Sequence, residues 1–352
     1  MGKVSIVIIN YNGCRYLKEC LVSIKEKVKI DYEIIVIDNH SSDGSADLLK
    51  KDFSWVKLIV LDRNYGHSYA CNVAFREAEK DYVLLMDSDT VVTEKWLEPL
   101  IRKMEEDPGR GICISRAIFY PEKKMIHSDG GWAHYVGSMV LKNGFSELKS
   151  AGGCSEEIGA AGTTSMLVDK AKALEIGGFD DDFFVYLNDF EFSLRMRLAG
   201  YKCHSVPESI IYHKGGNPAV SYRGEGRYPR LRAFYIFRNR WYLIFKLYSL
   251  KTILLCLPAL LAYECSIFVM ALMKGLVLTY FKALFSFFAM LPEILEKRSH
   301  IKKIRCIKDK KLFSALPLTF VPGSVKEGGQ KSLLQTLDTF LICYWNIIKR
   351  II

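Results

Sequence analysis

At 352 residues the chain can hold one large domain with an appendage or two ordinary domains. Half of its residues are hydrophobic and a quarter charged, which excludes global disorder. Its net charge of +10 is unevenly placed: residues 1–230 carry 30 Lys+Arg against 33 Asp+Glu, and residues 231–352 carry 19 against 6. The basic part is also the apolar part, so its expected partner is an anionic membrane surface and not nucleic acid.

Short apolar runs alternate with helical patterns through the first hundred residues. The run VSIVII (Val4–Ile9) precedes a segment in which Leu17, Leu21, Ile24 and Val28 recur at helical spacing. EIIVID (Glu33–Asp38), VKLIV (Val56–Val60) and YVLLM (Tyr82–Met86) read as further strands, with a helix over Ser68–Ala78. Thr93 reads as the start of a helix over EKWLEPLIRKM. This alternation predicts an α/β fold with a mostly parallel sheet flanked by helices. Residues 110–160, rich in glycine and aromatics, read as loops and short strands. A short helix then stops at Gly177–Gly178, and another runs from Asp189 to Ala199 before Gly200. Gly215–Pro229 reads as a mobile loop.

Beyond it lie two apolar runs, Ile253–Met273 broken by Glu264 and Gly275–Leu291 broken by Lys282. A charge at mid-helix costs roughly 2.5–3.5 kcal/mol on insertion, against about 0.3–0.6 gained per large aliphatic residue. Helices in the membrane interface, one marginal span within 252–291 and burial within protein all fit these runs. The basic stretch KKIRCIKDKK (Lys302–Lys311) suits anionic headgroups. Ten cysteines without a C-x-x-C pair suit a reducing compartment, and no secretory signal opens the chain. The expected location is therefore the cytoplasmic face of the cell membrane.

Ligands of open α/β sheets bind beyond the carboxyl ends of the strands. Here those ends are NYNG (Asn10–Gly13), DNHSSDGS (Asp38–Ser45) and DSD (Asp87–Asp89), with RNYGHSYACN (Arg63–Asn72) beside the third strand. No phosphate loop of the G-x-x-x-x-G-K-[ST] type and no G-x-G-x-x-G after a strand occurs, which removes ATPase and dinucleotide readings. Asp87 and Asp89 offer oxygen ligands to a divalent cation that bridges to phosphate; they also suit a turn after the strand. Asp189 suits a proton acceptor or an N-terminal helix carboxylate. Glu191, about 200° round the helix from Asp189, reads with Arg195 as an ordinary surface ion pair.

In this order the motifs SIVIINYNG, VIDNHSSDGS, NYGHSYACN, DSD and GGFDDDFFVYLNDFEFSLRMRLAGY resemble family 2 glycosyltransferases, the rhamnosyltransferase-like subgroup above all. The resemblance covers about residues 3–240. It implies a GT-A fold, a nucleotide-diphosphate sugar donor (rhamnose being the sugar the subgroup suggests), a divalent cation (Mn2+ or Mg2+) and inverting transfer to an acceptor hydroxyl. By the same resemblance Tyr11 and Asp38 contact base and ribose, and Asp43 and Asn64 shape that pocket. Asp87 and Asp89 serve diphosphate and metal, His213 of YHKGG faces them, and Asp189 is the catalytic base. Where the family has Glu-Asp, this chain has Asn188–Asp189.

The resulting expectation is a GT-A catalytic domain over 1–230 and a membrane-associated helical region over 231–352, acting on a lipid-linked or glycan acceptor. One rival is a processive polysaccharide synthase, against which FRNRW (Phe237–Trp241) has Phe where the Q-x-x-R-W motif has Gln. The other is a catalytically idle, nucleotide-binding membrane adaptor.

Overall fold

The computed structural model describes residues 3–216, 227–322 and 329–352, so most of the loop expected over Gly215–Pro229 lies outside the described residues. The chain divides into two compact units. One comprises Met1–Gly130, Lys142–Met196 and Tyr201–Asn217; the other comprises Gly131–Leu141, Arg197–Gly200 and Pro218–Ile352.

In chain order the first unit begins β1 (Val4–Asn10), α1 (Cys14–Lys27), β2 (Tyr32–Asp38), α2 (Ser45–Asp52), β3 (Lys57–Val60), α3 (His67–Glu77), β4 (Tyr82–Asp87) and β5 (Thr90–Val92). It goes on through α4 (Leu97–Glu105), β6 (Arg110–Phe119) and β7 (Ile126–Ser128). The segments β8 (Gly131–His134) and β9 (Ser138–Leu141) belong to the second unit. The first unit resumes with β10 (Glu156–Ile158), β11 (Ser165–Asp169), α5 (Lys170–Glu175), α6 (Asn188–Leu198) and β12 (Lys202–His213). The second adds α7 (Arg230–Leu247), α8 (Leu250–Met273), α9 (Val277–Ala289), α10 (Leu291–Ile304), α11 (Asp309–Leu312), β13 (Phe313–Ser314) and α12 (Gly329–Ile348).

The sheet of the first unit runs β10-β12-β6-β11-β4-β1-β2-β3, with β5 on β12 and β7 on β6. β1, β2, β3 and β4 are mutually parallel, β6 and β12 are parallel, and the antiparallel β11 joins the two sets. Every residue of β1 is buried, as a strand covered on both faces requires. Leu17, Leu21 and Ile24 of α1 and Leu97, Leu100 and Met104 of α4 close one face over Ile6, Ile8, Val36 and Leu84. Each such side chain contributes about 1.5–3 kcal/mol by leaving water.

Two elements depart from the sequence reading. The helix expected after Thr93 starts only at Leu97, because Lys95 takes a left-handed φ of 55°. The buried indole of Trp96 then anchors that start by donating to Ser115 Oγ at 3.1 Å and Ser165 Oγ at 3.0 Å. Residues 110–160 open with the ten-residue β6, whose apolar side chains (Ile112, Ile114, Ile118) were hidden in a glycine-rich average.

In the second unit Ala233 and Phe237 of α7, Ala271 of α8 and Tyr280 and Ala283 of α9 share a core. α8 is long and apolar enough to cross a membrane, and α9 bends by 59° into α10.

Candidate active site

Strand register brings the first polar cluster together. Asn10 stands opposite Asp38 and Ile9 opposite Asp87, so the ends of β1, β2 and β4 are level. Asp38 is fully buried; its Oδ2 accepts from Asn10 Nδ2 and its Oδ1 from the Ser41 amide, both at 2.8 Å. Ser41 Oγ accepts the Asn12 amide at 2.8 Å, and Asn12 Oδ1 accepts the Ser42 amide at 2.8 Å. Asp43 ties the same two loops, its Oδ2 accepting the Cys14 amide at 2.8 Å and its Oδ1 the Ser45 hydroxyl at 2.5 Å. Asn64 Oδ1 accepts the Gly66 amide at 2.9 Å within its turn, and Asn39 pins that turn through the Tyr65 amide at 3.0 Å. Asp43 and Asn64 therefore shape backbone, while Tyr11 projects with 50% of its surface exposed. Gly13 is sterically required: a Cβ there would lie 2.4 Å from Asn10 Oδ1 and 2.5 Å from Ser88 Oγ.

A second cluster forms where β4 ends. Ser88 and Asp89 turn the chain into β5, and β5 pairs antiparallel with β12 so that Thr90 opposes His213. His213 Nε2 thereby comes within 3.1 Å of Asp89 Oδ2, while its Nδ1 meets His127 Nδ1 at 3.1 Å. One ligand atom from each of Asp87, Asp89 and His213 lies within 4.8 Å of the others. Asp89 Oδ2 is buried, with His213 and the Gly216 backbone as its neighbours among the described residues. Burial disfavours its charge, yet His213 together with hydrogen bonds from the Gly216 and Asp89 backbone outweighs burial and lowers the Asp89 pKa. Two carboxylates and an imidazole around such an atom fit Mn2+ or Mg2+, with Mn2+ the better match for the nitrogen ligand.

The third cluster faces the second. Phe184, Tyr186 and Leu187 all adopt left-handed φ (58°, 62° and 58°) immediately before Asn188 and Asp189 open α6. Such backbone costs of order 1–3 kcal/mol per residue and is held only by its surroundings. Part of that hold is visible, since Phe184 O accepts the His67 amide at 2.6 Å and the Ser68 amide at 3.3 Å. Asp189 Oδ1 accepts the Phe190 amide at 2.8 Å, and Gly162 lets the backbone approach, a Cβ there lying 3.3 Å from Asp189 Oδ2. Desolvation raises the Asp189 pKa; hydrogen bonding from the Phe190 amide and the nearby His67 oppose the rise, and Asp87 adds to it. Asp189 and the Asp87–Asp89 doublet thus share one electrostatic neighbourhood.

His67 joins these clusters. Asn188 Nδ2 lies 2.9 Å from His67 Nδ1, and His67 Nε2 lies 3.6 Å from Asp87 Oδ1. Burial works against its cation, but the Cys71 sulfur and Asp87 carboxylate beside it raise its pKa overall. Sequence reasoning passed over His67 and His127. The first sits in the RNYGHSYACN motif just after Gly66, a usable signal; the second has none. The expected surface pair Glu191–Arg195 is buried instead, two-pronged at 2.6 and 2.8 Å, with Arg195 Nη1 also donating to Ile176 O at 2.8 Å. The far face of α6 is covered by protein, so turning away from Asp189 leads into the core and not to solvent.

A family description, Glycosyl transferase family 2, matches residues 5–155, and a second, Glycosyl transferase family group 2, matches residues 82–295. The chain belongs to glycosyl transferase family group 2. Among relatives of this group, an uncharacterised glycosyltransferase of Methanocaldococcus jannaschii is 25% identical over 243 residues, 68% of this chain and 79% of that one. The poly(ribitol-phosphate) beta-N-acetylglucosaminyltransferase of Staphylococcus aureus is 30% identical over 135 residues, 34% of this chain and 41% of its own. The teichoic acid poly(glycerol phosphate) polymerase of Staphylococcus epidermidis is 36% identical over 113 residues, 31% of this chain and 16% of the polymerase. The chain thus spans less than half the length of these last two. The crystal structure of GalNAc-T7 with UDP, GalNAc and Mn2+ superposes with a TM-score of 0.55 at 16% identity, over 74% of this chain and 51% of that one. The fold of this family member is accordingly GT-A.

Proposed function

We propose that this protein is an inverting, metal-dependent glycosyltransferase that moves a sugar from a nucleotide-diphosphate donor to a hydroxyl of a lipid-linked or glycan acceptor. The observation that carries the reading is the nearness of one desolvated carboxylate, Asp189, to an acidic doublet with its own imidazole. Direct displacement at an anomeric carbon needs those two things, a base on one side and charge compensation on the other. Asp189 takes the acceptor hydroxyl's proton as the oxygen bonds to the anomeric carbon, and the carbon–oxygen bond to the diphosphate breaks. Asp87, Asp89 and His213 would hold the divalent cation, which supplies compensation for the charge on the departing diphosphate. Asp38 keeps a free lone pair on each oxygen for a ribose hydroxyl, and exposed Tyr11 offers a face to the base. Asp43 and Asn64 hold the two loops that form the pocket walls.

Support for the donor class comes from GalNAc-T7, whose crystals contained UDP and Mn2+. The relatives named for teichoic acid polymers support an acceptor in surface-polymer synthesis. The rhamnosyltransferase-like motif order makes rhamnose the first donor sugar to try. On this reading residues 1–230 form the catalytic domain, and the basic, apolar residues 231–352 hold it at the cytoplasmic face of the membrane.

Thermal unfolding of the purified chain with UDP, dTDP or GDP, with and without Mn2+ or Mg2+, tests the site. At least one nucleotide is expected to raise the midpoint with metal, and Asp89→Ala to abolish the metal-dependent part. Absence of stabilisation by every nucleotide under both metals would overturn the donor-site assignment.

A further inference from the structure

The second unit carries apolar surface that its own core does not use. On α8 the side chains of Leu250, Leu254, Leu257, Leu261, Val269 and Leu272 are all exposed. At 100° per residue they form one stripe, which extends roughly 33 Å at 1.5 Å per residue. On α9, Leu278 and Phe285 are each 78% exposed, with Phe281 and Phe288 between and after them on the same face. The opposite face of α9, Tyr280, Ala283 and Phe287, is buried. Phe268 of α8 lies 6.0 Å from Phe281, joining the two stripes. On α12, Leu333, Phe340 and Ile347 repeat at seven residues and are exposed, and Tyr344 Oη donates to Leu255 O of α8 at 2.8 Å.

Glu264 is the lone carboxylate of residues 250–291, and it does not interrupt this face. Arg240 Nη1 meets its Oε2 at 2.5 Å, and Tyr280 Oη donates to its Oε1 at 2.6 Å. Arg240 is further held by Val136 O at 2.7 Å. The charge is thus neutralised at the edge of the stripe, whose exposed side chains are hydrocarbon apart from Cys265 and, at the helix start, Lys251. Around that hydrocarbon the exposed charges are mostly cationic: Lys274 and Lys282 beside the two stripes, and Lys302, Lys303, Lys310 and Lys311 farther along, against Glu293 and Glu296 on α10.

We propose that α8, α9 and α12 seat this unit in one leaflet of an anionic bilayer, lying in the membrane plane with the stripes immersed and none of the three crossing. The proposal rests on the membrane reading given above and fixes its geometry. Charge complementarity selects the occupant, since a lipid surface with acidic headgroups matches both the hydrocarbon and its lysine border. In-plane seating follows from the inner face. If α8 crossed, the Arg240–Glu264 pair near its middle would lie at bilayer depth along with the buried Arg238 and Asn239 of α7. α9, at 13 residues and roughly 20 Å, is too short to cross and turns by 59° into the charged α10.

The test uses the full chain and vesicles of phosphatidylcholine with or without phosphatidylglycerol. Flotation is expected with the anionic vesicles, and Leu278→Glu with Phe285→Glu should weaken it by at least about tenfold while the far-ultraviolet circular dichroism is unchanged. Depth is read by lipid-borne quenchers from a fluorophore on Cys265, Leu254→Cys or Leu272→Cys, with Cys154, Cys306 and Cys343, and in the last two variants Cys265 as well, replaced by serine. Equal, shallow depth at all three positions supports in-plane seating. A profile deepest at 265 and shallow at 254 and 272 would overturn it in favour of a span, leaving the membrane reading intact. Failure to float with any vesicle would overturn both.

Discussion

The two units treat buried charge in opposite ways. In the helical unit Arg240 and Glu264 neutralise each other, with Tyr280 and Val136 O as further partners, although Arg240 Nη2 finds no hydrogen-bond partner among the described residues. In the sheet unit buried Asp89 gathers with a second carboxylate, Asp87, around the His213 imidazole, and Asp189 is desolvated strongly enough to raise its pKa. An opposite-charge pair neutralised from within serves the fold, whereas like charges gathered at a strand end suit a cation that arrives. Desolvating Asp189 without full compensation costs stability, a penalty of the kind that gathers at functional sites.

That contrast can be broken most forcefully at Asp189. Asp189→Asn keeps the shape and removes the base, so transfer should fall by roughly 10²–10⁴-fold with nucleotide affinity nearly unchanged. Single-turnover transfer beside calorimetric nucleotide binding checks it; full activity in the variant would assign the proton to another group. The helical unit should answer differently. Glu264→Ala strands a buried guanidinium and should cost about 3–5 kcal/mol in urea unfolding, whereas Arg240→Met with Glu264→Leu should recover most of it. An equal loss in the double variant would mean that the pair does more than satisfy itself.

The smallest effect concerns pH. If Asp189 is the base, as proposed, it must be ionised, so turnover should decline as pH falls through a pKa above the ordinary aspartate range. His67 lowers that pKa, and His67→Phe should therefore move the acid limb upward. A pH–rate profile that stays put in His67→Phe would separate His67 electrically from Asp189.

Much of the sheet was legible because continuous apolar runs of parallel strands leave few alternatives. Asp87, Asp89 and Asp189 were legible as candidates by their place at an element end, and His213 only through the family resemblance of YHKGG. What the sequence withheld is pairing across distance. His67 and Asn188 are 121 residues apart, and His127 and His213 are 86 apart. Nothing local says that they meet. The Glu191–Arg195 spacing spoke clearly of a pair and was silent about burial, because periodicity gives the face of a helix but not what covers it. The strand β6 was lost in the composition of its surroundings.

The level ends of β1, β2 and β4 have one further consequence. Since alternate residues of a strand face opposite sides, lengthening β1 by a single residue would turn Asn10 from Asp38 and move Gly13 off Ser88. This rim is therefore rigid against insertion and deletion though open to substitution, and chain-length change should be accommodated in the loops that follow it. New specificities would be reached by exchanging side chains on a frame whose residue spacing stays fixed.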